Sequence, residues 1–178
     1  MSSKYPSVFP PGRCLLSAMV LTLFAIGGCG GPEPAEHLAL AKTYIEQNNI
    51  NSAVIELKNA LQKDPDYAEA RWLLGEIYVK AGLGSEAEKE LLRAQKLGVN
   101  EEVIKVLLGQ ALLLQEGYER VLKEVTPSPQ TSPKNLAKIQ QLHGEAQLGL
   151  GHSKQGCESF KQSAQTDPAY VPTYWGLA

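Results

Sequence analysis

The chain has 178 residues, with 17 Lys and Arg against 19 Asp and Glu and a formal net charge of −2. Lys4 and Arg13 are the only charges before residue 29, so the remainder carries 15 basic against 19 acidic residues, a net of −4, without the basic stripe that nucleic-acid binding calls for. Cys14, Cys29 and Cys157 include no CxxC pair and no Cys/His set at zinc-ligand spacing, which argues against a metal site and against a disulfide framework.

The N-terminus reads as an address. Residues 1–13 hold two bases and no acid, residues 15–26 are almost wholly apolar, and Gly27-Gly28-Cys29-Gly30 follows. A basic start, an apolar run and a small-residue site make a secretory signal peptide over residues 1–28. The run falls short of the roughly 20 residues that a spanning helix needs. Ile26-Gly27-Gly28-Cys29 resembles the bacterial lipobox, in which an aliphatic residue and two small ones precede the cysteine. The resemblance implies that the Cys29 thiol takes up a diacylglycerol and that cleavage makes Cys29 the new N-terminus. Stable anchoring takes more than one acyl chain, and bacterial lipoproteins carry several. Gly30 stands where Asp favours retention at the inner membrane, so it points to the outer membrane. Residues 29–34, rich in Gly and Pro, read as the lipidated cysteine and a short tether.

From there on the chain repeats itself. Leu40, Leu74 and Leu108 are 34 residues apart, as are Tyr44 and Tyr78, Ala53 and Ala87, Leu57 and Leu91, Ala60 and Ala94, and Gly75 and Gly109. The first repeat starts near Pro34, with Leu40, Ala41 and Tyr44 on its first helix, a turn at Asn48-Asn49, and Ala53, Leu57 and Ala60 on its second helix. Asp64-Pro65 ends that helix, because Pro disfavours helical geometry in the residue before it. The second repeat, near 68–101, carries Trp72, Leu74, Gly75 and Tyr78, then a turn at Gly82 and Gly84, then Ala87 and Ala94. Asp66 with Glu69, and Ser85 with Glu88, read as capping boxes. Lys42 with Glu46 and Glu76 with Lys80 read as helical i,i+4 pairs.

The third repeat is degenerate: Leu108, Gly109, Leu112, Val121 and Val125 keep their places, and its second helix ends near Val125. Residues 126–136, opening Thr-Pro-Ser-Pro-Gln-Thr-Ser-Pro, read as a loop that gains one residue over the period. A fourth repeat follows at 137–170 with Gly144, Gly151, Phe160, Ala164 and Pro168 in the repeat positions. Residues 171–178 open a fifth repeat in mid-helix, so the expectation is a fragment of a longer array.

A helical hairpin of this period cannot bury its apolar face alone and must stack on its neighbours. The pattern over residues 34–178 resembles the tetratricopeptide repeat, which implies an all-α solenoid of antiparallel helix pairs, with repeats one to three over 35–125. A narrower resemblance rests on AVIELKNALQKDPDYAEARWLLGEIYVKAG, GSEAEKELLRAQKLG and LLGQALLLQEGYERVLKEV, and on the order of lipobox, tether and repeats. These are similar to the tetratricopeptide lipoprotein of the PEP-CTERM/exosortase system. That resemblance implies the Gram-negative envelope and a setting of exopolysaccharide production and surface-protein sorting.

No phosphate loop, nucleophile elbow or HExxH is present, so no catalytic residue and no cofactor is expected. His143 reads as a core-edge histidine and Cys157 as a buried, inert thiol. What remains is a surface. In tetratricopeptide folds the first helix of each repeat lines a groove, and the matching positions here are Leu38, Lys42 and Ile45, then Trp72, Glu76 and Val79, then Val106, Gln110 and Leu113. The Lys/Asn clamp that binds a peptide carboxylate in some chaperone cofactors is missing. The expected function is a lipid-anchored scaffold that holds a peptide or helix of another protein at the periplasmic face of the outer membrane. The alternatives are an assembly lipoprotein for outer-membrane proteins or pilus subunits, and, least favoured, an enzyme with its chemistry beyond these residues.

Overall fold

A computed structural model describes residues 33–170. The signal peptide with Ile26, Gly27 and Gly28, the lipidation site Cys29, most of the tether, and residues 171–178 lie outside the described residues. Eight helices and no strand are found among the described residues. They are α1 (Pro34–Glu46), α2 (Ile50–Lys63), α3 (Ala68–Lys80), α4 (Gly84–Lys96), α5 (Glu101–Leu113), α6 (Tyr118–Glu124), α7 (Pro133–Gly149) and α8 (Ser153–Thr166). Helices pack in sequential pairs, α1 on α2, α3 on α4, α7 on α8, and each pair packs on the next through α2–α3, α4–α5 and α5–α7. The all-α solenoid expected from the 34-residue period is therefore the fold.

The period is written into the backbone. Each turn within a pair contains one residue with left-handed geometry: Asn48, Gly82, Glu116 and Gly151, at φ of 56°, 74°, 55° and 80°. The N–H of the following residue bonds back to the last turn of the helix: Asn49 to Tyr44 O, Leu83 to Tyr78 O, Gly117 to Leu112 O and His152 to Gln147 O, at 2.8–2.9 Å. This closes the helix end on itself and satisfies a carbonyl that would otherwise be orphaned. Asn and Gly fit the geometry; Glu116 holds it at a steric cost.

The crossing points are small. Ala53, Ala60, Ala87 and Ala94 are fully buried. A Cβ on Gly75 would sit 2.8 Å from the Leu91 side chain, and one on Gly144 would sit 2.6–2.8 Å from three atoms of the Phe160 ring. Gly109 is likewise closed off, by Leu142 and Val125. Leu74 and Leu108 are buried, and Tyr44 and Tyr78 lie half-buried against the core.

Two expected packing residues behave differently. Leu40 is 44% exposed. Its equivalent Leu74 shares a core with Leu57 and Ala60 of the preceding pair, and no pair precedes α1 among the described residues. Ala164 is only half-buried, whereas Ser163 is fully buried and donates from Oγ to Ala137 O at 2.7 Å. The residue gained between Glu116 and Gly151 moves the Ala60/Ala94 position onto Ser163, not Ala164.

Neither capping box forms. Tyr67 and Leu83 stand at the N-caps of α3 and α4, with no side-chain cap. Asp66 and Glu69 instead bind Arg93 at 2.9 Å and Lys42 at 2.6 Å, and Ser85 and Glu88 reach Gln115. Lys42 thus pairs across helices and not with Glu46, whereas Glu76–Lys80 is the expected pair, at 2.7 Å. The working caps are asparagines: Asn49 Oδ1 accepts from Ser52 N–H, and Asn100 Oδ1 from Glu102 and Val103 N–H.

The span 126–136 is not all loop. Helix α6 has only 7 residues, and α7 begins at Pro133 and runs for 17. Pro at the first helical position lacks only an N–H that would be unpaired anyway, so Ser132-Pro133 starts a helix where Pro127 and Pro129 cannot. Pro34 opens α1 in the same way. His143 donates a ring N–H to Val125 O at 2.8 Å and closes the truncated end of α6. Glu102 holds the far end of the loop, accepting from Ser132 N–H at 2.6 Å and from its hydroxyl at 2.5 Å.

Glu116→Gly removes the strained turn residue, and a gain of about 0.5–1 kcal/mol is expected, read as a higher urea midpoint with an unchanged slope. The Ser132 hydroxyl, then its N–H, hold the Glu102 carboxyl below its ordinary value of 4.5. A depressed carboxyl contributes its stability above that ordinary value and loses it as pH falls through the lowered one. The melting temperature of Glu102→Gln should therefore fall below that of the parent at pH 6, and the gap should close as pH drops below 4.5. A gap that persists in acid would contradict the assignment.

Candidate functional site

Helices α1, α3, α5 and α7 are the first members of their pairs, and three depressions open along them. Between α1 and α3 a cavity of about 380 Å³ is lined by Ile45, Ile50, Leu73 and Ile77, with Glu76 and Lys80 at its edge. Across α3, α5 and α7 one of about 250 Å³ is lined by Trp72, Glu76, Val103, Val106, Gln110 and Lys138. Nearer the C-terminal ends of the same three helices one of about 360 Å³ is lined by Val79, Val106, Leu113, Lys138, Gln141, Glu145 and Tyr170. Glu76 belongs to the first two; Val106, Gln110 and Lys138 belong to the last two. The three are chained into one groove that crosses the helices.

The groove follows from the repeat. Ile45, Val79 and Leu113 are 34 residues apart; Ile45 lines the first cavity, and Val79 and Leu113 together line the third. Trp72 and Val106 occupy another repeating position, also 34 apart. The Trp72 indole is half-buried against the core of α4 and α5 while its remaining surface lines the groove, so packing and exposure are shared within one side chain.

Of the expected groove residues, Ile45, Trp72, Glu76, Val79, Val106, Gln110 and Leu113 line the chained cavities. Leu38 does not. It is 5% exposed and packs in the core of α1, α2 and α3. Lys42 is exposed and forms a rim contact, bridging α1 to Glu69 of α3.

Lys138 and Tyr170 line the groove unforeseen. The signal for Tyr170 lay in the repeated Asp-Pro-x-Tyr at 64–67 and 167–170; that for Lys138 lay in its repeat position, shared with Glu69 and Val103. The charges divide unevenly. Glu76 is paired with Lys80, and Glu145 accepts from Gln141 Nε2 at 2.7 Å. Lys138 is half-buried and has no ion pair or side-chain hydrogen bond among the described residues. Burial, and after it the nearby Glu145 carboxylate, raises the Tyr170 phenol above its ordinary value, which keeps it a neutral O–H donor at neutral pH.

Cys157 is a free, exposed thiol, contrary to the buried one expected, since Gly156 and Phe160 take the inward face of α8. Among the described residues no three His, Cys, Asp or Glu side chains cluster as metal ligands, and no helix is long and apolar enough to cross a membrane.

Comparison with known proteins matches residues 44–111 to the tetratricopeptide repeat family. The human Superkiller complex protein 3 is 27% identical over 135 residues, which is 75% of this chain but 9% of that protein's length. Among solved structures, MamA from Desulfovibrio magneticus RS-1 superposes with a TM-score of 0.68 at 19% identity, covering 83% of this chain and 82% of that one. YrrB, described as a TPR protein with an unusual peptide-binding site, gives 0.63 at 17% identity, covering 82% and 74%. The fold is that of the tetratricopeptide solenoids.

Proposed function

We propose that this tetratricopeptide solenoid is a lipid-anchored scaffold of the Gram-negative cell envelope. In this reading, acyl groups on Cys29 hold it to the outer membrane, facing the periplasm, and its groove binds proteins of exopolysaccharide export or PEP-CTERM surface-protein sorting. It works by binding, with no catalysis of its own.

The observation that carries the binding role is the chain of apolar cavities with polar rims across α1, α3, α5 and α7. Burying apolar side chains in such holes supplies the affinity, and the polar rim supplies direction. The anchor is supported by Ile26-Gly27-Gly28-Cys29, and the setting by the lipoprotein-like stretches from Ala53 onward. A tether of about five residues would hold the groove close to the bilayer.

Two experiments bear on this. Cys29→Ala, expressed in a Gram-negative host fed labelled fatty acid, should remain an unlabelled precursor; a labelled product would sink the anchor. Leu113→Asp puts a charge into the apolar wall of the groove. Loss of an interface anchor costs about 2 kcal/mol or more, so partners recovered from detergent-solubilised envelope should fall by at least about tenfold. Undiminished recovery of export or sorting proteins would remove the groove from the mechanism.

A further inference from the structure

Resting on that reading of the anchor, we infer that the outer face of the first pair, α1 with α2, is where two copies of this chain meet at the membrane. The first observation is a stripe that changes character. Ala70, Leu74 and Ile77 of α3 are buried in one core with Leu57 and Ala60 of the preceding pair, and Ile104 and Ala111 of α5 likewise pack with Ala87, Leu91 and Ala94. The same repeat positions on α1 are Glu36, Leu40 and Thr43, and all three are exposed. Only the central one is a large apolar side chain.

The second observation is on α2. Lys89 of α4 borders a cavity with Lys58 and Leu61 of α2, so its position faces the pair before it. The stripe through that position reads Glu86, Lys89 and Arg93 on α4, and Arg120 and Lys123 open it on α6. On α2 it reads Ser52, Ile55 and Asn59, with no charge, and Ile55 is 57% exposed. The outer face of an end repeat is ordinarily polar, because it meets water. This one presents two exposed aliphatic side chains between polar groups and one acid, which is the layout of an interface with an apolar centre and a polar rim.

The third observation says what fits the face. Helices α1 and α2 run antiparallel, so Thr43, Leu40, Glu36 and Ser52, Ile55, Asn59 follow one another in the same direction, with gaps of three and then four residues in both. A two-fold axis parallel to the helices lays α1 of one copy antiparallel on α2 of the other, as α3 lies on α2 within the solenoid. Leu40 then meets the partner's Ile55, Glu36 the partner's Asn59 amide and Thr43 the partner's Ser52, and each contact is made twice. The same axis keeps both Pro34 ends at one edge, so both tethers reach one membrane. The face is about 20 Å long and about 20 Å wide, well short of the about 800 Å² per partner of a standard stable complex. The pair is therefore dissociable in free solution and draws on the local concentration that a shared membrane supplies.

The test reconstitutes the acylated full chain in phospholipid vesicles, in a Cys157→Ser background so that this exposed thiol cannot react. Two differently tagged populations carry Leu40→Cys and Ile55→Cys, and mild oxidation is followed on a non-reducing gel. Mixed vesicles should give a disulfide-linked pair with both tags, in at least fivefold greater yield than pairs of like variants. Ile55→Lys restores the lysine of the later repeats at an exposed site, so the fold tolerates it. Placed in the Leu40→Cys copy, it should cut the mixed yield at least tenfold, with helical content unchanged by circular dichroism. No mixed pair, a mixed pair no more abundant than the like pairs, or a yield untouched by Ile55→Lys would each overturn the inference, and a chain that carries labelled fatty acid would then keep its anchor without this partner. A chain without the label loses the anchor and the membrane's part in the pairing. Sedimentation under reductant at millimolar concentration then decides the face itself: a dimer in the parent but not in Ile55→Lys upholds it, and monomers in both discard it.

Discussion

The solenoid depends on helices that cross with nothing between them. Gly75 lies against Leu91, Gly144 against the Phe160 ring, and Ala53, Ala60, Ala87 and Ala94 are sealed at equivalent crossings. At such contacts even one added carbon forces a neighbour off its rotamer, and interiors packed to crystal density absorb that poorly. Because each pair is pinned closely, the next pair meets a surface of fixed shape, and the one after that does too. The groove inherits this regularity: Ile45, Val79 and Leu113, which share one repeat position, all line it.

Within the pairs, polar struts repeat alongside the small residues. His37 Nδ1 lies 2.6 Å from Glu56, and the Arg71 guanidinium lies 2.5 Å from Glu90, each pair 19 residues apart and mostly buried. Arg71 also donates to Pro65 O, so one side chain ties the link between pairs to the helix behind it. Lys105 and Glu124 occupy the same two positions in the third repeat but turn to Glu101 and Arg120. A buried pair that loses one partner leaves a costly charge, so each strut penalises any packing that would separate its two helix faces.

What the sequence made legible was whatever recurs at a fixed period: the fold, the turns at Asn48 and Gly82, the end of α2 at Asp64-Pro65, and most of the groove wall. What it hid depends on neighbours that a period does not name. Leu40 and Leu74 are the same residue in the same position, yet one is exposed and the other buried, because only Leu74 has a pair before it among the described residues. Leu38 is buried in the core, whereas Trp72 at the same repeat position also lines the groove. The capping boxes failed because Asp66, Glu69, Ser85 and Glu88 found partners on other helices, contacts that a local motif cannot anticipate. Ser163 displaced Ala164 through a single gained residue, which a reader counting alanines overlooks.

The shortened α6 has a consequence for how the array holds together. In a solenoid each repeat is stabilised by its neighbours, so a half-length helix leaves one link weaker than the rest. Here α5 and α7 must meet directly, with Val125 and His143 closing the gap that a full α6 would have filled. The groove cavity lined by Leu113, Lys138 and Gln141 lies over that same seam. A segment seated there touches both sides of the weak link and acts as a splint, lending the array the continuity that its own third repeat lacks.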